Sequence, residues 1–196
     1  MQGHIEDHLA ISDLMAGWMY RDLASWDNLA DLFHPDATIE VTWFEGAVAD
    51  FIAGSRMMGG SALHTKHLIG QPVIEFNGTK ALVETNAIIV ADQVVLKLGC
   101  AVHNRFYDFV EKRDGMWKIV RRQSIYDMGC FTFPLSIEPI DGDVVERFPP
   151  EYAALAYLLE KSGFPVRRVF ATRGSALEMD MKQRGAAWLA DRPANT

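Results

Sequence analysis

Apolar residues recur every three or four positions over residues 4–20 and again over residues 25–33. This spacing is typical of amphipathic helices that bury one face. Pro35 is expected to end the second helix, because the residue before a proline avoids the helical region. A third helix is predicted over residues 47–58, where two consecutive glycines end it.

The pattern then changes to alternating apolar and polar positions that are rich in β-branched and aromatic residues, which is typical of strands. We predict strands at residues 37–44, 68–76, 79–91, 95–111 and 116–126. The sequences Asn-Gly after the second strand and Arg-Asp-Gly after the fourth are turn sequences that favour antiparallel hairpins. Three helices and an antiparallel meander indicate an α+β fold.

The last third of the chain differs in character. Prolines and an Asp-Gly pair mark an irregular segment after residue 131, and residues 151–161 and 174–190 again have helical spacing. We therefore divide the chain into a domain at 1–133 and a C-terminal linker with a helical extension at 134–196. The extension is expected to pack on the sheet or on a neighbouring subunit.

Charge and composition exclude several classes of function. The chain has 196 residues, a formal net charge of −7 and a pI near 5.3. Such acidity argues against nucleic acids and anionic membranes as partners. No stretch approaches the roughly 18 apolar residues of a membrane-spanning helix, and the N-terminus lacks the pattern of a signal peptide. Two cysteines in no metal or redox motif favour a cytoplasmic protein with reduced thiols.

One acidic residue has an unusual position. Asp22 falls at the junction of the first two predicted helices, among apolar and aromatic residues. A carboxylate in such surroundings must be solvated, paired or chemically active. His67, near the start of the second predicted strand, is a candidate partner. The alternative is that Asp22 caps a helix and that His67 is an ordinary strand histidine.

Two motifs suggest a family. The first is the turn Phe-His-Pro-Asp-Ala at 33–37, after the second predicted helix, and the other is the hairpin Arg-Asp-Gly-Met-Trp-Lys-Ile at 113–119, which leads into the last predicted strand. Together with the helix and strand order, they resemble the NTF2-like superfamily and its SnoaL-like branch over roughly residues 4–130. The resemblance implies a cone-shaped barrel, with three N-terminal helices against a curved antiparallel sheet.

Within that branch the chain most resembles cofactor-free lyases: scytalone dehydratase, bile-acid 7α-dehydratase, hexachlorocyclohexane dehydrochlorinase and the sphingomonad diarylpropane lyase. In the dehydratases and the dehydrochlorinase an Asp–His pair is central. The Asp lies four residues before a Trp-Asp sequence, which corresponds here to Asp22 ahead of Trp26. The His corresponds to His67. The arginine of the dehydrochlorinase, five residues after the hairpin tryptophan, corresponds to Arg122.

Two positions depart from the bile-acid dehydratase. Gly17 stands where that enzyme has a tyrosine, and Tyr126 stands where it has an arginine. Tyr20 lies in a different register from the missing tyrosine. The scaffold and the pair are therefore expected, whereas the leaving group stays open.

The remaining candidates surround the expected cavity. If Arg122 faces the interior, then Ser124 and Tyr126 do so as well, because alternate residues of a strand share a face. Bulky candidates for the cavity wall or for substrate binding are Trp18, Trp43, Phe51, His64, His103 and Arg105. Which face of residues 95–111 points inward stays open, so the last two belong either to the surface or to the site.

His64 and His67 form a His-x-x-His sequence, but residues three apart on a strand point to opposite faces, and no further ligand shares an evident motif. No metal and no cofactor are expected. We predict a lyase that removes water or formaldehyde from a cyclic or aromatic small molecule in aromatic compound catabolism. Asp22 and His67 would supply acid–base chemistry, Arg122 and Tyr126 would bind or polarise a substrate oxygen, and Tyr20 would assist.

Three alternatives stay open: an isomerase on the same scaffold, a non-catalytic binding or assembly module, and the small subunit of a ring-hydroxylating dioxygenase, which shares the fold. The resembling lyases are commonly trimers, so a homotrimer is expected.

Overall fold

The computed structural model describes residues 2–191, with side chains from Ile5 onward. Its helices are α1 (Gln2–Ala16), α2 (Met19–Asp22), α3 (Trp26–Asp31), α4 (Val48–Gly59), α5 (Gly142–Val145), α6 (Ala153–Lys161) and α7 (Ala176–Ala190). Within this part of the chain, none of the helices combines the length and apolarity needed to cross a bilayer.

One six-stranded sheet forms the centre of the molecule. Its strands are β1 (Phe33–Val41), β2 (Phe44–Ala47), β3 (Leu63–Asn77), β4 (Lys80–Gln93), β5 (Leu98–Arg113) and β6 (Met116–Thr132). They are ordered β2-β1-β6-β5-β4-β3, and all neighbours are antiparallel except β1 and β6. The sheet is curved but unclosed, with β2 and β3 at its edges. The predicted α+β fold is confirmed.

The predicted hairpin turns are also confirmed. Asp114 and Gly115 between β5 and β6 have φ angles of 51° and 79°, the left-handed values that a tight two-residue turn requires. Gly78, between β3 and β4, has a φ of 60°.

The N-terminal helices cover the concave face of the sheet. Ile11, Met15, Trp18 and Phe51 from α1 to α4 are almost fully buried and join Phe106 of β5 in one apolar cluster. Burial of each such side chain stabilises the fold by about 1.5–3 kcal/mol. This packing holds the segment from α1 to α4 against the concave face of the sheet.

The C-terminal helices pack on both faces of the sheet. α6 extends the concave side, where its buried residues contact Cys100, Val102 and Tyr126. α7 lies on the outer face, where Met181 and Leu189 join a cluster with strand residues of β4, β5 and β6. The extension therefore packs on the sheet of its own chain.

The first helix differs from its predicted extent. A single helix was expected over residues 4–20, but α1 ends at Ala16 and α2 begins at Met19. A Cβ atom on Gly17 would lie 2.5 Å from Cδ2 of Leu32, so the residue that follows α3 packs closely against the glycine at this break. The short α2 then carries Asp22 at its end.

The first strand also differs from prediction. β1 begins at Phe33 rather than at Ala37, and its pairing with β6 shifts register between Phe33 and Thr38. The His-Pro-Asp sequence forms this irregularity, where the missing N–H of Pro35 costs no ladder hydrogen bond. β2 was not predicted, because four residues are too few to show a periodic pattern.

Gly129 provides a test of how the C-terminal segment docks. A Cβ atom at this position would lie 2.8 Å from the carbonyl oxygen of Glu151 and 3.0 Å from Cγ2 of Val102. Gly129→Ala should therefore lower the free energy of unfolding by about 1–3 kcal/mol. Urea denaturation measures this change. Gly142→Ala is the matched control, since nothing lies within 4 Å of its added methyl group; equal effects of the two substitutions would contradict the packing.

Candidate active site

A cavity lies on the concave side of the sheet, beneath α4 and α6. Its apolar wall consists of Trp18, Val41, Trp43, Phe51, Met58, Ile89, Phe106, Leu155 and Leu159. Its polar lining residues are Arg21, Thr42, Thr65, His67, Ser124 and Tyr126. The volume is about 40 Å³, whereas sites for drug-sized molecules span roughly 300–1,000 Å³. Side chains such as Met58 must therefore move outward before a ring compound enters.

Asp22 and His67 form a closely bonded pair at this wall. Oδ1 of Asp22 lies 2.8 Å from Nδ1 of His67, and Oδ2 accepts a 2.6 Å hydrogen bond from the backbone N–H of His67. Only 6% of the His67 side chain and 8% of the Asp22 side chain are exposed. The Trp18 ring meets the imidazole edge-on at 5.8 Å. One carboxylate thus fixes both the strand backbone and the ring.

This geometry selects the tautomer of His67. An ionised carboxylate only accepts hydrogen bonds, so Nδ1 carries the proton and Nε2 of the neutral ring keeps a free lone pair. Burial lowers the pKa of His67 below its ordinary 6.5, while the bond to Asp22 opposes this shift and the charges of Arg21 and Arg122 add to it. At neutral pH the ring is a base ready to accept a proton.

A second buried pair lies beneath the cavity wall. Nε and Nη2 of Arg122 donate to the two carboxylate oxygens of Asp108 at 2.8 and 2.7 Å, and both side chains are fully buried. The guanidinium packs against the rings of both Trp18, at 4.6 Å, and Phe106, at 4.3 Å. Burial raises the pKa of Asp108, and Arg122 opposes that rise. Arg122 is thus held behind the aromatic wall and is not among the lining residues.

Tyr126 and Ser124 border the cavity on β6. The Tyr126 hydroxyl accepts a 3.2 Å hydrogen bond from the backbone N–H of Thr42 and donates to its Oγ1 at 3.3 Å. Burial raises the pKa of Tyr126, so the phenol stays protonated at neutral pH. This wall therefore offers neutral hydroxyl groups.

A second, outer pocket of about 230 Å³ lies next to the cavity. Asp22 and His64 border it, together with residues from α3 and α4. His64 is exposed and lies on the opposite face of β3 from His67, as the strand alternation predicted. Among residues 5–191, no group of three or more His, Cys, Asp or Glu side chains is placed to hold a metal ion.

Two of the predicted substrate-binding residues lie away from the cavity. Phe106 of β5 points inward, so His103 and Arg105 occupy the outer face. His103 is exposed, and Arg105 donates to Asp127 and Glu178 at 2.8 Å and also to Glu84, which ties α7 to the sheet. The sequence left open whether these two residues belong to the surface or to the site, and the structure places both outside this cavity.

The predicted role of Tyr20 is corrected. Tyr20 is half-buried and packs against the core without lining the cavity. The next residue, Arg21, lines it instead, and the sequence interpretation missed it together with Thr65 and Asp108. Only Asp108 could have been anticipated: an arginine buried at position 122 requires an acidic residue nearby to balance its charge.

Comparison with known proteins agrees with this fold. Residues 3–123 match the family described as SnoaL-like domain. The chain belongs to this family. It is 30% identical to pea pathogenicity protein 2 of Fusarium vanettenii over 168 residues, which cover 79% of the chain and 70% of that protein. It is also 30% identical to the uncharacterized protein AN9274 of Emericella nidulans over 165 residues, or 76% of the chain and 68% of that protein.

Solved structures share the SnoaL-like fold at low identity. A protein of Novosphingobium aromaticivorans, provisionally named a scytalone dehydratase, is 20% identical with a TM-score of 0.58, covering 70% of the chain and 95% of that protein. A type 2 hexachlorocyclohexane dehydrochlorinase is 18% identical with a TM-score of 0.53, again covering 70% and 95%. The expected NTF2-like, SnoaL-like scaffold is confirmed.

The low pKa of His67 makes a prediction about stability. Because the unfolded chain takes up a proton near pH 6.5 and the folded chain does so only at lower pH, stability should fall as the pH decreases below about 6.5. The variant His67→Gln lacks this linkage. The stability advantage of the unaltered protein over this variant should therefore shrink between pH 7 and pH 5, by up to about 1.4 kcal/mol per pH unit. Urea denaturation across that range measures it, and an advantage that grows at low pH would show a charged His67.

The Arg122–Asp108 pair makes a separate prediction. Asp108→Leu leaves a buried guanidinium without its counterion and should cost about 3–5 kcal/mol of unfolding free energy. The double variant Asp108→Leu/Arg122→Met removes both charges and should lose less than Asp108→Leu alone. Denaturant unfolding of the three proteins gives these energies. A cost below about 1 kcal/mol for the single variant would be incompatible with the ion pair.

Proposed function

We propose that this protein is a cofactor-independent lyase that eliminates a small leaving group from a cyclic or aromatic molecule. The observation that carries the proposal is the Asp22–His67 pair, with Nδ1 and Oδ1 2.8 Å apart, whose His67 lines an aromatic-walled cavity. The dehydratase and dehydrochlorinase names of proteins that share the fold support this class of reaction.

The elimination needs only one acid–base group, because the same imidazole takes a proton and later returns it. Nε2 of His67 takes a proton from the substrate carbon next to the one that bears the leaving group. The electrons of the broken C–H bond form a C=C bond, and the C–O bond breaks with its electron pair on oxygen. The imidazolium then gives its proton to that oxygen, which releases water and restores neutral His67. Help of this kind contributes roughly 10²–10⁴ in rate.

Asp22 acts through His67 and is a positioning residue. Its carboxylate holds the ring in one tautomer and stabilises the imidazolium that forms during the reaction. In this proposal Tyr126 and Ser124 contact a substrate oxygen from the opposite wall. Arg122 shapes the wall from behind Trp18, because its guanidinium is fully buried.

Water is the leaving group that we favour, and formaldehyde from a diarylpropane is the second choice. The cavity wall supports an aromatic or cyclic substrate, since Trp18, Trp43, Phe51 and Phe106 offer ring faces. The apolar surroundings also exclude bulk water, which strengthens the Asp–His bond and the developing charges.

An isomerase is the second candidate function. His67 is the one imidazole in the cavity wall among the described residues. A single base that takes a proton from one carbon can return it to another, which shifts a double bond without mass loss. Mass spectrometry of the products separates the two functions, because elimination lowers the product mass and isomerisation leaves it unchanged.

His67→Ala should abolish turnover, with a loss of at least about 10²-fold, while circular dichroism shows an intact fold. The measurement is mass spectrometry of products from a panel of hydroxylated aromatic and alicyclic compounds. His103→Ala is the matched control, since His103 is exposed on the outer face, and it should keep full activity. Full activity of His67→Ala would refute the mechanism, and a panel without any conversion would favour a non-catalytic binding module.

A further inference from the structure

Arg21 occupies a position that the proposed reaction does not use. It lies next to Asp22 in α2, and its side chain is 8% exposed. Arg21, Met58 and Thr65 belong both to the cavity wall and to the wall of the outer pocket. These three residues therefore form the partition between the cavity and the outer pocket.

The guanidinium of Arg21 donates hydrogen bonds only to neutral acceptors in the described part of the chain. Nη1 donates to Oγ1 of Thr65 at 2.8 Å, and Nη2 donates to the sulfur of Met58 at 3.3 Å. Both acceptors are neutral. The carboxylate of Asp22 is 3.9 Å away, beyond hydrogen-bond distance, and it already accepts two hydrogen bonds from His67. A guanidinium has five N–H donors, so most of its capacity is unused.

Arg122 and Arg105, unlike Arg21, donate hydrogen bonds to carboxylates. Arg122 binds both oxygens of Asp108 at 2.8 and 2.7 Å. Arg105 binds Asp127 at 2.8 Å and two further carboxylates. Burial lowers the pKa of Arg21 to about 10, even though Asp22 raises it. Arg21 thus stays charged at neutral pH, with Asp22 3.9 Å away but with no carboxylate within hydrogen-bond distance to offset its burial.

A second group at the cavity wall lacks a partner. The indole N–H of Trp18 is buried, and it has no hydrogen-bond acceptor among the described residues. Like the spare N–H groups of Arg21, it is a donor. The wall therefore complements a ligand that carries oxygen acceptors.

We propose that Arg21 binds a carboxylate group of the substrate and thereby selects cyclic or aromatic carboxylic acids. The planar fork of a guanidinium matches a carboxylate in a two-point hydrogen-bonded contact. The carboxylate then replaces Thr65 and Met58 as the hydrogen-bond acceptors of Arg21. That this ligand is a substrate rests on the proposed function, whereas the binding preference does not.

The carboxylate also fits the proton chemistry of the site. With His67 neutral, the charges of Arg21 and Asp22 offset each other, as do those of Arg122 and Asp108. A bound anion beside Arg21 would stabilise the imidazolium that forms when His67 takes a proton. The same group that selects the substrate therefore favours the proton transfer.

The test compares two probes of nearly equal shape, 4-fluorobenzoate and 4-fluorobenzamide, titrated at pH 7 and followed by ¹⁹F NMR. The unaltered protein should bind the benzoate at least about tenfold more tightly than the amide. Arg21→Gln should reduce this preference to within about twofold, mainly by weakening the benzoate. Arg56→Gln is the matched control, because Arg56 is an exposed arginine of α4, and it should keep the preference.

Equal affinities for the two probes in the unaltered protein would overturn the proposal, and so would a preference that survives Arg21→Gln. If Arg21→Gln fails to fold by circular dichroism, Arg21→Lys replaces it. That variant keeps the charge but loses the fork, and an unchanged preference there would count against the two-point contact. His67→Ala should lose activity but retain the benzoate preference. A failure of the proposed lyase mechanism can therefore be distinguished from a failure of the proposed carboxylate binding.

Discussion

The carboxylate of Asp22 joins the helical layer to the sheet, and the candidate site depends on that junction. Its two oxygens bind the backbone N–H and the ring of His67, so a single side chain at the end of α2 fixes both the position of β3 and the orientation of the imidazole. The helix break at Gly17, where Leu32 packs closely, separates α1 from the short α2 that carries Asp22. Local backbone structure and site chemistry are therefore linked through one residue.

Charge is distributed unevenly around the cavity. The charges of Arg122 and Asp108 are matched, and the pair lies behind aromatic rings and outside the cavity lining, although Nη1 of Arg122 has no hydrogen-bond partner among the described residues. His67 is held neutral by burial, in spite of its acidic partner. Arg21 is a buried cation of this region whose hydrogen bonds go only to neutral acceptors, because Asp22 lies 3.9 Å away. A site of this kind has one base, an aromatic wall and one cation with unused N–H donors.

The helix and strand pattern was sufficient to predict the α+β fold, whereas the Asp22–His67 pair was predicted only through the resemblance to SnoaL-like lyases. The partner of Arg122 was not predictable, since a bulge between Phe109 and Val110 shifts the register of β5 and β6. Counting back from the hairpin turn pairs Asp108 with Arg121, whereas the fold pairs it with Arg122. Strand alternation alone also left both faces of β5 equivalent. Only the packing of α7 on the outer face assigns Arg105 there.

The central claim is that Asp22 holds a neutral His67 with its proton on Nδ1. The most direct measurement is a ¹⁵N NMR titration of the imidazole nitrogens of His67, assigned with the variant His67→Gln. The account predicts a protonated Nδ1 and an unprotonated Nε2 at pH 7, with a titration midpoint below 6.5. A proton on Nε2 at pH 7, or a midpoint above 6.5, would contradict it.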